Sequence, residues 1–235
     1  MSGTLTRQEI QLKNRSKYQA KNPVQVRSVV PKTDKQAEYL QHLHFSDQIV
    51  VMGCAGTGKT YLAAAVAATK LKSKHISKIV LTRPNVAAGR GLGFLPGTLE
   101  EKIAPWVVPF TDVIREYLGA AEFDIAMKNG TIDIVPFEIM RGRTFNDSFI
   151  ILDEAQNTTP SEIKMFLTRI GEQSQVVING DIKQSDLRET SGLSTVVNMI
   201  KKQNLNIPVI EFNTSDIVRS DICAMWIKAF DKAGV

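Results

Sequence analysis

Ile49-Val-Val-Met-Gly53-Cys-Ala-Gly56-Thr57-Gly58-Lys59-Thr60 is a short apolar run, then a glycine-rich turn, then the start of a helical segment. Residues 53–60 fit the pattern G-x-x-x-x-G-K-T, placed where that pattern has chemical meaning, between a strand and a helix. Gly53, Cys54, Ala55, Gly56, Thr57 and Gly58 are expected to wrap close enough for successive N–H groups to face phosphate oxygens. The helix behind them adds the positive end of its dipole to the same anion site. Lys59 is expected to reach the β- and γ-phosphates, and the Thr60 hydroxyl to ligate Mg²⁺. This stretch predicts a P-loop that takes ATP with Mg²⁺.

A second apolar run, Ser148-Phe-Ile-Ile-Leu, ends in Asp153-Glu154-Ala155-Gln156. Four apolar residues before two carboxylates describe a buried strand whose tip emerges beside the first. Asp153 is expected to hold Mg²⁺ through water and Glu154 to polarise an attacking water as general base. A third run, Val176-Val-Ile-Asn-Gly-Asp, leads to Gln184, placed to sense the γ-phosphate. Upstream of the P-loop, Gln36 precedes a short amphipathic segment and could pair with an adenine edge through one donor and one acceptor.

Outward from these motifs, short apolar runs alternate with helical segments, the pattern of a parallel sheet wrapped by helices. Strands are expected at Ile49–Met52, Ile79–Thr82, Ile132–Val135, Phe149–Leu152, Gln175–Asn179 and Val209–Phe212, with a weaker one at Val24–Val30. Helices are expected at Lys59–Lys72, across Thr98–Lys128, at Pro160–Ile170, at Leu193–Lys202, and at Ile217–Phe230 capped from Thr214, Ser215 or Asp216. Arg83–Gly97 (RPNVAAGRGLGFLPG) reads as a long loop at the sheet edge where α/β folds bind ligands. The fold class is α/β, a doubly wound, mostly parallel sheet in a single domain over 23–235.

Charge is unevenly placed. Residues 1–35 hold eight Lys and Arg against Glu9 and Asp34, a balance of +6, whereas the other 200 hold 21 basic and 22 acidic groups. Residues 1–22 are polar and aperiodic, so they read as a basic flexible arm and the natural place for polyanion contact. No apolar run approaches the roughly 20 residues that span a bilayer, and no signal-peptide core is evident. Cys54 and Cys223 form no metal or disulfide pattern. A cytoplasmic protein without membrane association is expected.

The segments TRPNVAAGRGLGFLPG, FEIMRGRTFNDSFIILDEAQN and MFLTRIGEQSQVVINGDIKQSDL, with the SGL that follows, resemble the PhoH family of P-loop proteins over roughly residues 30–230. The chain is also similar to the first half of a superfamily I helicase, which shares the upstream glutamine, the DEAQ tetrad and the GDxxQ turn. The resemblance implies a RecA-like ATPase core and suggests a link to RNA. Some PhoH proteins add a ribonuclease or RNA-binding domain, for which this chain is expected to have no room. The family pattern carries acids near 87 and 90, where this sequence has Ala87 and Arg90.

Helicase-type motors place ATP between two such cores, with an arginine of the second stabilising the transition state. One core alone predicts self-association into a ring, plausibly a hexamer, with Arg219 as the first candidate to act in trans and Arg169 and Arg143 as reserves. The expected partners are further copies of the chain and RNA or single-stranded DNA. A nucleotide-dependent scaffold or switch with slow hydrolysis and no nucleic-acid work stands beside that reading. A small-molecule kinase is disfavoured by Glu154, since such kinases need no base for water.

Overall fold

A computed structural model of the chain describes residues 27–84, 99–187 and 190–233. The arm at 1–22 and nearly all of the loop expected at Arg83–Gly97 lie outside them. The described elements are α1 (Asp34–Phe45), β1 (Gln48–Met52), α2 (Lys59–Lys72), β2 (Lys78–Thr82), α3 (Leu99–Leu118), α4 (Ala120–Lys128), β3 (Ile132–Ile134), β4 (Ser148–Leu152), α5 (Pro160–Leu167), β5 (Gln175–Gly180), α6 (Gly192–Gln203), β6 (Val209–Glu211) and α7 (Asp221–Ala233).

The four central strands, β1, β2, β4 and β5, are runs rich in β-branched and other apolar residues that can be buried on both faces, as a parallel sheet between helical layers requires. The edge strands β3 and β6 are short and carry Asp133 and Glu211. The sheet order is β3-β2-β4-β5-β1-β6 and every described pair is parallel. Side chains alternate between two cores. Ile49, Val51, Ile79, Ile151 and Val177 face α1 to α4, while Val50, Val80, Ile150, Val176 and Ile178 face α5 and α6. Burying one such side chain contributes about 1.5–3 kcal/mol.

The register decides where chemistry can occur. Met52 pairs with Gly180, and Leu152 with Ile178. The turns after β1, β4 and β5 therefore leave the same carboxyl edge side by side. This is the RecA-like arrangement, with the P-loop strand and the acid-bearing strand separated by one strand.

Four expectations are corrected. The described part of the stretch expected across Thr98–Lys128 is two helices, Leu99–Leu118 and Ala120–Lys128, because Gly119 turns the chain at φ 95° and ψ 149°. The last helix begins at Asp221, after a 3₁₀ turn over Thr214–Asp216 that Asn213 and Asp216 close as a reciprocal capping box. The helix from Pro160 stops at Leu167. The described part of Val24–Val30, residues 27–30, joins no strand. Among the described residues no helix is long and apolar enough to cross a membrane.

Candidate nucleotide site

Two glycines set the loop that follows β1. Gly53 has φ 136° and Gly56 φ 84°, conformations that side chains rarely adopt, and a Cβ on Gly53 would strike the Phe212 carbonyl. The Thr57 hydroxyl, fully buried, donates to the Cys54 carbonyl at 3.1 Å. Gly58 sits at the cap position of α2 with no side chain to offer, so the first N–H groups of the helix remain available to an anion. Lys59 Nζ donates to the carbonyls of Gly53 at 2.5 Å and Cys54 at 2.8 Å. Burial lowers the Lys59 pKa, while Asp181, Cys54, Asp153 and Glu154 pull it back up. A compact, partly desolvated cation therefore waits inside the loop.

β4 is buried at every position, and its backbone runs on until Asp153 N–H donates to the Thr82 carbonyl at 3.0 Å. Burial pushes the Asp153 carboxyl up to about 6, and the neighbouring Glu154 adds to the rise; Arg83 and Lys59 oppose it. Arg83 stands 3.9 Å from Asp153 and 3.8 Å from Glu154, too far to neutralise either fully. Its guanidinium lies 5.7 Å from the centre of the Trp106 ring.

Glu154 occupies left-handed backbone, φ 52° and ψ 39°, which turns its side chain out of the strand direction. Gln156 Nε2 then donates to the Glu154 carboxylate at 2.5 Å, while Gln156 Oε1 accepts from Asp181 N–H at 3.0 Å. Gln156 thus ties the tip of β4 to the tip of β5. The motif reading assigned it no task, although its place two residues after the proposed base was a usable signal.

One cleft of about 760 Å³ on the carboxyl edge touches every expected site residue except Cys54 and Thr57, which shape the loop from behind. Gln184 reaches it from a 3₁₀ turn over Ile182–Gln184. Gln36 is buried rather than a surface side chain: its Nε2 donates to the Thr57 carbonyl at 2.9 Å and its Oε1 accepts from Lys32 N–H at 2.8 Å. The first effect of Gln36 is to brace the P-loop, and one amide hydrogen and one lone pair are left for a base.

Arg219, expected to act in trans, packs against the P-loop. A Cβ on Gly56 would lie 2.8 Å from Arg219 Cγ, and Val218 N–H donates to the Gly56 carbonyl at 3.0 Å. Arg219 therefore lies over the P-loop of its own chain. The reserves are also engaged locally. Arg143 Nη2 binds the Asp133 carboxylate at 2.7 Å, and Arg169 Nε donates to the Met165 carbonyl at 3.3 Å.

Thr60 and Asp153 offer oxygen donors only, a set suited to a hard cation such as Mg²⁺. The short supply of positive charge around Asp153 fits such an ion. Among the described residues no cluster of three or more His, Cys, Asp or Glu could hold a metal by itself. Phosphate oxygens and water would have to complete the coordination, as Mg²⁺ ordinarily requires beside a nucleotide.

The fold and the site together define a RecA-like P-loop protein. Residues 28–231 match the family model described as PhoH-like protein, and the chain belongs to that family. A PhoH-like protein of Bacillus subtilis is 47% identical over 208 residues, covering 88% of this chain and 65% of that one. Protein PhoH of Escherichia coli K12 is 40% identical over 206 residues, covering 86% of this chain and 58% of its own length. The chain thus spans less than two thirds of these relatives. Among solved structures, the Pif1 helicase from Candida albicans aligns with a TM-score of 0.44 and 16% identity, covering 88% of this chain and 44% of that one.

Proposed function

We propose that this protein binds ATP with Mg²⁺ and hydrolyses it, in an assembly of several copies that acts on RNA or single-stranded DNA. The observation that carries the reading is convergence. Lys59 and Thr60 from β1–α2, Asp153 and Glu154 from β4, Gln184 from the turn after β5 and Arg219 from the turn before α7 all line one cleft.

In this reading the P-loop amides and Lys59 hold the β- and γ-phosphates, and Thr60 with Asp153 hold the cation. The bound Mg²⁺ supplies charge neutralisation on the phosphates. Glu154 takes the proton of the attacking water, Gln184 orients that water, and Arg219 meets the charge that develops on the γ-phosphoryl group from within the same chain. Gln36 and the residues beside it border the space left for the base. The arm at 1–22 would add sequence-independent affinity for a polyanion.

The test is a pair of variants. Lys59→Ala should lose tight ATP binding; Glu154→Gln should bind ATP nearly as the wild type does and lose turnover. Wild-type turnover in Glu154→Gln would show that the base is elsewhere. A second reading, a nucleotide switch with slow turnover, draws support from the hydrogen bond that occupies Glu154 in this state. Adding single-stranded RNA or DNA separates the two: a rise in ATP turnover supports the first, and no response the second.

A further inference from the structure

Among the described residues, two apolar surfaces stand out, an exposed helix face and a groove. On α7, Ile222, Met225, Trp226 and Phe230 recur at helical spacing and are 71%, 57%, 56% and 52% exposed. No residue of α7 belongs to either hydrophobic core. The Trp226 and Phe230 rings touch at a tilt of 31°, 5.9 Å between centroids, so the two largest side chains of the stripe form one apolar surface. These four side chains expose on the order of 500 Å² of apolar surface, near the upper end for a monomer and over half of what one side of a standard interface buries.

The second surface is a groove of about 660 Å³ where β1 and β5 begin, walled by Leu167, Ile170, Val196, Met199, Ile200 and Leu205. Met199 and Leu205 are each 42% exposed. Its charges complement those of the helix. Asp47 lines the groove and Lys201 and Lys202 end the adjoining α6, while α7 opens on Asp221 and carries Lys228 and Lys232 further along.

We propose that α7 of one copy lays its Ile222–Met225–Trp226–Phe230 stripe into the apolar groove of the next copy, chaining copies head to tail. A helix in a groove is a recurrent mode of recognition. Because the two surfaces differ, the contact is heterologous, and a heterologous contact that closes generates a ring. The inference rests on the self-association part of the proposed function and names the surfaces that would produce it. It also links assembly to chemistry: α7 starts two residues after Arg219, so seating the helix in a neighbour fixes the segment that lies over the P-loop.

Sedimentation velocity of the full chain tests this with Trp226→Glu and Met199→Glu, both at exposed positions outside the nucleotide cleft. The wild type should assemble, and each variant alone should dissociate at least 100-fold more readily. An equimolar mixture of the two should yield a 1:1 dimer and nothing larger, because only one pairing keeps both an intact stripe and an intact groove. Ile222→Lys and Leu205→Lys repeat the experiment on the same two surfaces, and retained nucleotide binding shows that each variant is folded. A wild type that assembles while both variants stay assembled overturns this interface and leaves self-association standing. Dissociation by Trp226→Glu alone overturns it in favour of a stripe that meets some other surface. A wild type that is monomeric at every concentration defeats the self-association reading itself.

Discussion

Asp133 on β3 and Asp153 at the end of β4 flank the same strand, β2, and their surroundings drive them in opposite directions. Burial alone would raise the Asp133 pKa, but Lys78 Nζ and Arg143 Nη2 each donate to its Oδ2 at 2.7 Å, and the balance lowers it. Burial also raises Asp153, and there the nearest guanidinium stays at 3.9 Å while Lys59 spends its hydrogen bonds on loop carbonyls. The first acid is satisfied by its own chain. The second is left short of positive charge, and a deficit of that kind beside a phosphate-binding loop marks a place for a ligand.

Turnover should separate the two regions most widely. Glu154→Gln, next to Asp153, should lower kcat by about 10²–10⁴ while leaving ATP affinity nearly intact. Asp133→Asn should stay within roughly 2-fold of wild-type turnover, because Asp133 is held by Lys78 and Arg143 and does not line the nucleotide cleft. A large loss in Asp133→Asn, measured by steady-state phosphate release, would erase the distinction.

Stability should separate them with opposite signs. An acid raised in the folded state penalises the fold once ionised, so the Asp153 cost is absent below about pH 4 and complete above about pH 6. Asp153→Asn should therefore stabilise the nucleotide-free protein at pH 8, by up to about 3 kcal/mol, with the gap closing on acidification. Asp133 is lowered, so its contribution is present above the usual carboxylate pKa and is lost as pH falls through the lowered value. Asp133→Asn should cost about 1 kcal/mol at pH 7 and nothing at strongly acid pH. Urea denaturation at several pH values reads both effects.

The smallest effect tests the guanidinium that stands beside both site acids. Arg83→Gln removes a guanidinium that favours ionised Asp153, so the acid limb of Mg²⁺-nucleotide binding should move to higher pH. The loss of affinity at pH 8 should be under about tenfold, since the ion pairs are long and partly solvated. Titration calorimetry between pH 5 and 8 would show an unmoved limb if Arg83 has no part in the balance.

What could be read in the sequence follows from the range of the forces involved. The strands, the P-loop and the acidic pair were legible because each is written in consecutive residues: an apolar run, then the turn chemistry that ends it. The Gly119 break was not, since helix formers continue on both sides of it. The start of α7 at Asp221 was masked by the capping box that Asn213 builds just before it. Gln36 and Arg219 were found by motif, but their contacts with the P-loop were not. The contact between Gln36 and Thr57 and that between Arg219 and Gly56 join distant parts of the chain, and no local pattern announces such contacts. Val24–Val30 alternates as a strand should, yet alternation supplies no partner.

The left-handed backbone at Glu154 has a consequence for how this sequence can drift. That conformation costs a residue with a side chain on the order of 1 kcal/mol, and glycine or asparagine escapes much of it. A library selected only for resistance to heat should therefore accumulate glycine or asparagine at 154, and its winners should be inert. Natural lineages face the same gradient. If Glu154 is the base proposed above, position 154 is among the first that relaxation would rewrite in a descendant that no longer splits nucleotide, and its identity then records whether that step is still in use.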